Sequence, residues 1–167
     1  MRLPATIIGL LLLGQLSCSP DDADTFPPVD DASISPYFTD DLSISTLNGT
    51  WRVYCYENFT THTLEFKTHE NSGGQDIIVE FDDTTDPNLF SGIKTSNSFS
   101  GEFDYVSSRE FKLKGVISTL AGQPKWADEF DNVIFDGLYG DVTFTINDEM
   151  LCIRYFYNTK SVTLLKQ

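Results

Sequence analysis

From residue 46 onward, apolar and polar positions mostly alternate with a period of two, and the period lengthens over a single stretch. Leu47-Asn48-Gly49-Thr50-Trp51-Arg52-Val53-Tyr54-Cys55-Tyr56-Glu57 is rich in aromatic and β-branched residues, which predicts a first strand entered through an Asn-Gly turn. His62 to His69 places Leu64 and Phe66 on one face and predicts a second strand, closed by the turn Asn71-Ser72-Gly73-Gly74. Asp76–Phe81, Leu89–Thr95, Phe99–Val106 and Glu110–Ser118 predict further strands.

The period then changes. Trp126, Phe130, Val133, Ile134 and Phe135 fall at or near helical spacing, behind Pro124 and ahead of Gly137. Asp128, Glu129 and Asp131 lie in the early turns, where free backbone N–H groups favour negative charge. Alternation returns at Val142, Phe144 and Ile146, and continues through Met150–Tyr157 and Ser161–Lys166. The expected fold is mainly β (α+β): an antiparallel curled sheet or partly closed barrel of about eight to nine strands, with one helix before a C-terminal three-stranded meander.

The N-terminus follows another pattern. Arg2 precedes the apolar run Leu3–Leu13, too short to span a bilayer, and Leu16-Ser17-Cys18-Ser19 comes next. This resembles a bacterial lipoprotein signal of the Bacteroidetes type, with Cys18 as the lipidated residue. Gln15 stands where such signals usually carry an aliphatic residue. The expected organisation is a signal peptide over 1–17, an acidic Ser/Pro/Asp tether over 18–45 and a β domain over 46–167. The tether reading rests on Asp21, Asp22, Asp24, Asp30, Asp31, Asp40 and Asp41 among prolines and serines, without Lys or Arg. Lipid on Cys18 implies a membrane partner, with the protein anchored in the cell envelope, at the outer membrane, on an extended stalk.

The formal net charge of −14 over 167 residues argues against nucleic acid, since nothing neutralises phosphates. It argues equally against docking on anionic lipid through a basic patch.

From Leu47 onward the order of features resembles the META domain (HslJ-like) family. The carriers are Leu47, Gly49, Thr50 and Trp51; Asn97-Ser98-Phe99-Ser100-Gly101-Glu102-Phe103; and Leu113-Lys114-Gly115-Val116-Ile117-Ser118-Thr119. Members often carry two cysteines, one before the Phe-x-Gly motif and one after the Ser-Thr. Here Ser96 and Leu120-Ala121-Gly122 occupy those places. The resemblance implies a non-catalytic envelope domain, a binding or envelope-stress module, and brings no active-site residues or cofactor. Gly49-Thr50-Trp51 also resembles the opening of lipocalin-like barrels, in which a late basic side chain packs on the tryptophan; Arg154 is the candidate for that role. That alternative implies a carrier of a small apolar ligand.

Candidate chemistry is sparse. Cys55 and Cys152 in an exported chain leave a disulfide and two buried thiols both open. His62 and His69, seven residues apart on an expected strand, point to opposite faces and are poor metal ligands. Asp82, Asp83 and Asp86 lack the spacing of a calcium loop. No nucleophile elbow or phosphate loop occurs, so no enzyme is expected. Tyr54, Tyr56, Tyr155 and Tyr157 lie on strands expected to be neighbours, as cross-strand packing or as an exposed aromatic binding surface.

Overall fold

The structure is a computed structural model that describes residues 46–119, 121–147 and 149–167. The expected signal peptide over 1–17, Cys18 and the 18–45 tether lie outside the described residues. The elements, in order, are β1 (Gly49–Asn58), β2 (Thr63–Phe66), α1 (His69–Ser72), β3 (Ile77–Asp82), β4 (Asn88–Lys94), β5 (Asn97–Ser107), β6 (Glu110–Ser118), α2 (Lys125–Tyr139), β7 (Val142–Ile146), β8 (Met150–Tyr155) and β9 (Lys160–Lys166).

Neighbouring strands pair antiparallel in the order β2-β1-β3-β4-β5-β6-β7-β8-β9, and β9 pairs back onto β1. Eight strands therefore close a barrel, which removes the exposed sheet edges. The ninth, β2, pairs with Cys55–Asn58 of β1, while β3 takes Gly49–Arg52 of the same strand. A bulge between Val53 and Cys55 shifts the register against β9. It also resets which side chains face inward. Trp51 and Val53 precede it in the core, and Tyr56, not Cys55, joins the core after it.

Aromatic rings fill the barrel. Phe81 lies 5.2 Å from Phe90, 5.4 Å from Phe103 and 5.7 Å from Phe111, centroid to centroid. Phe90 meets Phe99 at 5.0 Å, and Phe111 meets Phe144 at 5.9 Å. Such spacings belong to packed, tilted or edge-to-face rings. Gly92 makes room for them: a Cβ there would strike the Phe99 ring and the Ile78 carbonyl. The entrance is tied by Trp51, whose Nε1 donates to the Leu47 carbonyl at 2.9 Å, and by Leu47, whose N–H donates to the Tyr105 hydroxyl at 2.8 Å.

The helix occupies the weakest seam. β6 and β7 share only the pairs Glu110↔Thr143 and Phe111↔Val142. Over the rest of that seam α2 packs on β6, burying Trp126, Ala127, Phe130, Val133, Ile134 and Gly137. Phe130 reaches Phe99 in the barrel at 5.8 Å. The chain segment entering α2 is latched by Asn97, which accepts from the Ala121 N–H at 2.8 Å and donates to the Ala121 carbonyl and to Gln123. The fully buried Lys94 ion-pairs with Asp131 on α2.

Several boundaries differ from the sequence reading, for local reasons. The stretch expected as one strand from His62 to His69 is a short β2 followed by α1. His62 sits in a turn with φ 55°, and Thr68 and Asn71 form a capping box that starts the helical turn. α2 runs beyond Gly137, which is an interior position against Leu113, where a Cβ would lie 2.8 Å from Cδ1. Its end is Gly140, in extended rather than left-handed backbone (φ −140°). β8 stops at Tyr155, because Phe156, Tyr157 and Asn158 all take left-handed φ values of 54–61°.

The late basic residue over Trp51 is Lys166, at 5.5 Å from the ring, whereas Arg154 stands over Phe59 at 5.7 Å. The weighed Cys55–Cys152 bridge does not form. Both thiols are free and buried, and the pairs Cys55↔Thr163 and Cys152↔Thr163 put the whole of β9 between them. Two strand spacings, about 9.6 Å, exceed what a disulfide spans.

Candidate functional site

A pocket of about 290 Å³ opens where the last residues of β1 meet β2, the first turns of α2, and the β8–β9 connection. Its walls are Tyr56, Glu57, Asn58, Thr63, Glu65, Lys125, Glu129, Tyr155 and Lys160. Each wall follows from local structure. β1 is long enough to outrun its pairing with β3 and pair with β2, which forms one lip. Helical periodicity turns Phe130 into the core and leaves Glu129, one residue earlier, at the pocket.

Glu129 is the hub of one side. Its Oε1 accepts from the Tyr155 hydroxyl at 2.7 Å and from Lys160 Nζ at 2.9 Å. Lys160 in turn lies over the Phe156 ring at 5.5 Å. Burial is the main cause that raises the Tyr155 phenol well above its ordinary value, reinforced by the Glu129 carboxylate it donates to. Tyr56 is raised too, again chiefly by burial; its hydroxyl donates to the Trp126 carbonyl at 3.1 Å, and its ring meets the Trp126 edge at 4.6 Å. Both phenols are thus fixed, neutral hydrogen-bond groups at neutral pH. Across the pocket, Glu65 accepts from Asn71 Nδ2 at 3.4 Å and pairs loosely, at 3.8 Å, with the exposed Lys125.

Glu57 differs from the other carboxylates here. It is about nine-tenths buried, and its charge acts on the Cys55 and Cys152 thiols rather than on the two pocket phenols. Its neighbours along the outward row are Ser161 on β9 and, beyond that, Arg154 on β8.

The four tyrosines singled out in the sequence do not form one surface. Tyr56 and Tyr155 are buried and reach the pocket. Tyr54 is half-buried with its ring edge-on to Phe66 at 5.5 Å. Tyr157 is 96% exposed on the left-handed turn. Phe156 next to it is exposed too, as are Phe135 and Tyr139 of α2, whose rings lie 5.4 Å apart. The turn is held to α2 by the Phe156 N–H, which donates to Asp136. Three consecutive non-glycine residues in left-handed backbone cost on the order of 1 kcal/mol each.

Sequence reasoning missed Glu57, Glu65, Glu129, Lys125 and Lys160 as a group. They come from four separate elements, and nothing in their spacing links them. The acidic Asp82–Asp86 loop is occupied with its own bonds: Asp82 accepts from the Thr84 hydroxyl and N–H, and Asp83 accepts from the Tyr105 hydroxyl.

No family model matches the chain, and no curated protein matches its sequence. Solved structures share the fold. One from Burkholderia xenovorans is similar over 72% of this chain and 82% of its own, at 10% identity and a TM-score of 0.55. A crystal structure of a DUF4847 family protein from Bacteroides vulgatus is similar over 72% of this chain and 94% of its own, at 12% identity and a TM-score of 0.50.

Proposed function

We propose that this chain is a non-catalytic, lipid-anchored envelope protein of META/HslJ-like type that binds a small ligand in the pocket at the end of its barrel. The observation that carries the reading is the contrast between two spaces. Packed phenylalanines occupy the barrel interior, while the pocket at its end is lined by paired, pre-positioned polar groups. Pre-formed concave sites with a few fixed polar groups are where small ligands bind. Supporting the anchor are the Cys18 signal and the acidic, proline-containing stretch that follows it.

A lipocalin-like carrier is the second reading. It is favoured by Gly49-Thr50-Trp51 leading a closed meander and by Lys166 over the Trp51 ring. It requires room for an apolar ligand in the lumen, which the ring packing opposes.

The test is a fragment screen by heteronuclear NMR on the full-length chain in detergent. Hits that shift Asn58, Thr63, Lys160 and Glu129 support the end pocket. Hits that shift Phe81, Phe103 and Phe111 make the protein a carrier, and turnover of any hit overturns the non-catalytic reading. Metabolic labelling with an alkynyl fatty acid should mark the chain and fail on Cys18→Ser; equal labelling of that variant sinks the anchor.

A further inference from the structure

The outer surface of the barrel is not uniform. On β4 and β6 the outward apolar residues stand open: Ile93 is 53% exposed and Ile117 75%. On β8, β9 and β1 they do not. Alternation against the core residues Leu151, Ile153, Val162, Leu164 and Tyr56 turns Cys152, Ser161, Thr163, Leu165 and Cys55 outward. All five are nonetheless buried, Thr163 to 2% exposure and Leu165 to 5%. Leu165 and the two cysteines are buried without belonging to the core cluster.

The described elements do not supply the cover. α2 packs on β6 and meets β8 through the inward Tyr155, and α1 packs on α2. β2 only widens the face, pairing edge-on with β1. Phe59, stacked on Arg154 and bonded to the Thr159 carbonyl, shades the Ser161 end. Leu165 lies four residues away along β9, about 13 Å. Among the described residues, no helix or second sheet is laid over this face.

We infer that the face formed by β8, β9 and β1 is the docking site of this chain's own residues 34–44. Those residues read Ile-Ser-Pro-Tyr-Phe-Thr-Asp-Asp-Leu-Ser-Ile, with five large apolar side chains. Residues 19–33 hold only Phe26 and Val29 against five aspartates. A purely solvated tether is poor in such residues throughout, so the two halves of the acidic stretch differ in kind. The segment also ends in the right place. It stops five residues before Gly49, where β1 starts beside Lys166 of β9. Its eleven residues reach about 36 Å when extended, more than the roughly 23 Å length of the seven-residue β9. Charge is complementary: the face presents Arg52 and Arg154 against the single acid Glu57, and the segment brings Asp40 and Asp41. Being tethered, it faces the site at an effective concentration on the order of millimolar, ahead of a second copy in dilute solution. The free stalk is then residues 19–33, about 54 Å at most, a consequence that rests on the anchor reading above.

The experiment places p-benzoylphenylalanine at position 38 of the full-length chain in detergent. Light and heavy-isotope protein are mixed, irradiated, and the cross-links mapped by mass spectrometry. Links within one chain to the peptides around Cys55, Cys152, Thr163 or Leu165 are expected, and the same probe at position 26 should show no preferred site. Links between light and heavy chains would give the face to a second copy and overturn the inference, as would links to the Ile93 and Ile117 side or none. In parallel, the double variant Tyr37→Ser, Phe38→Ser should speed native alkylation of Cys152 by iodoacetamide at least tenfold, while Phe26→Ser with Val29→Ser leaves it unchanged. Fluorescence of Trp51 and Trp126 reports that each variant keeps its folded barrel. An alkylation rate indifferent to the change at Tyr37 and Phe38 overturns the inference as well. None of these outcomes depends on what the end pocket binds.

Discussion

Replacing Phe103 by alanine asks directly whether the barrel is packed or hollow. Phe103 is fully buried on β5, with its ring 5.4 Å from Phe81, 5.4 Å from Tyr105 and 6.3 Å from Phe111. Truncation removes a benzyl group from a wall of rings that cannot collapse inward, because the barrel's hydrogen bonds hold the strands apart. Buried Phe→Ala changes cost about 3–5 kcal/mol. Aromatic pairs add about 0.5–1.5 kcal/mol each beyond buried area, which puts Phe103→Ala in the upper part of that range. A domain stable by about 5–15 kcal/mol would feel such a loss plainly. The assay is equilibrium urea denaturation followed by the fluorescence of Trp51 and Trp126, with the slope m required to stay constant. Phe135→Ala serves as control: that ring is 61% exposed, and its loss should cost under about 1 kcal/mol. The new cavity, walled by Phe81 and Phe111, should also take up benzene and regain stability with it. If Phe103→Ala costs less than about 1.5 kcal/mol, the ring borders open space, the packing argument is wrong, and the apolar carrier becomes the better reading.

Burial pushes the Cys55 thiol up to about 12 and raises Cys152 as well, so at pH 8 only on the order of 10⁻⁴ of Cys55 is thiolate. Iodoacetamide should therefore alkylate both only after unfolding, and the denatured mass should show no two-hydrogen deficit; either fast native labelling or that deficit would contradict the register. Tyr155 has a folded value raised above its unfolded one, so its contribution is intact below about pH 10 and is lost as pH rises further. Above pH 10 the unfolded chain releases a proton that the folded chain keeps, and stability should fall by up to about 1.4 kcal/mol per pH unit for this tyrosine. Urea titrations at pH 9 to 11 should show Tyr155→Phe removing that share of the slope; an unchanged slope refutes the assignment. Asp131→Ala strands the buried Lys94 and should cost about 2 kcal/mol, below the 3–5 of a fully buried pair because Asp131 is partly exposed. Lys94→Met, which removes the buried charge itself, should stay within about 1 kcal/mol of the parent, and urea midpoints that reverse this order would show that the ion pair is not what strains the site.

The strands and the one long helix were legible because period-two and period-3.6 patterns survive wherever one face is buried. Val142, Phe144, Leu151, Ile153, Val162 and Leu164 alternate because every second side chain of β7, β8 and β9 enters the same core. Closure was only half legible. The pairing of β1 with β9 joins residues over a hundred positions apart, and no local pattern encodes which strands become neighbours. The shift of register at Val53 and Cys55 was invisible for the same reason. It moved Tyr56 inward and Cys55 outward, and so decided both the tyrosine surface and the disulfide. The end of β8 was hidden because Phe156 and Tyr157 carry strand-forming side chains in a turn that glycine or asparagine normally fills.

The site escaped the sequence for a deeper reason. Its residues answer to different local demands. Glu129 reads as a first-turns helix acid, Lys160 as the start of a strand and Glu65 as the polar face of a strand, and each reading is correct in its own element. They meet only because β1 outruns β3, because α2 must cover the seam between β6 and β7, and because the β8–β9 turn brings Tyr155 and Lys160 up to the helix. β1 and β9, the strands that close the barrel, supply Tyr56, Glu57, Asn58 and Lys160 from their ends, where the wall can carry charges that the core could not accept.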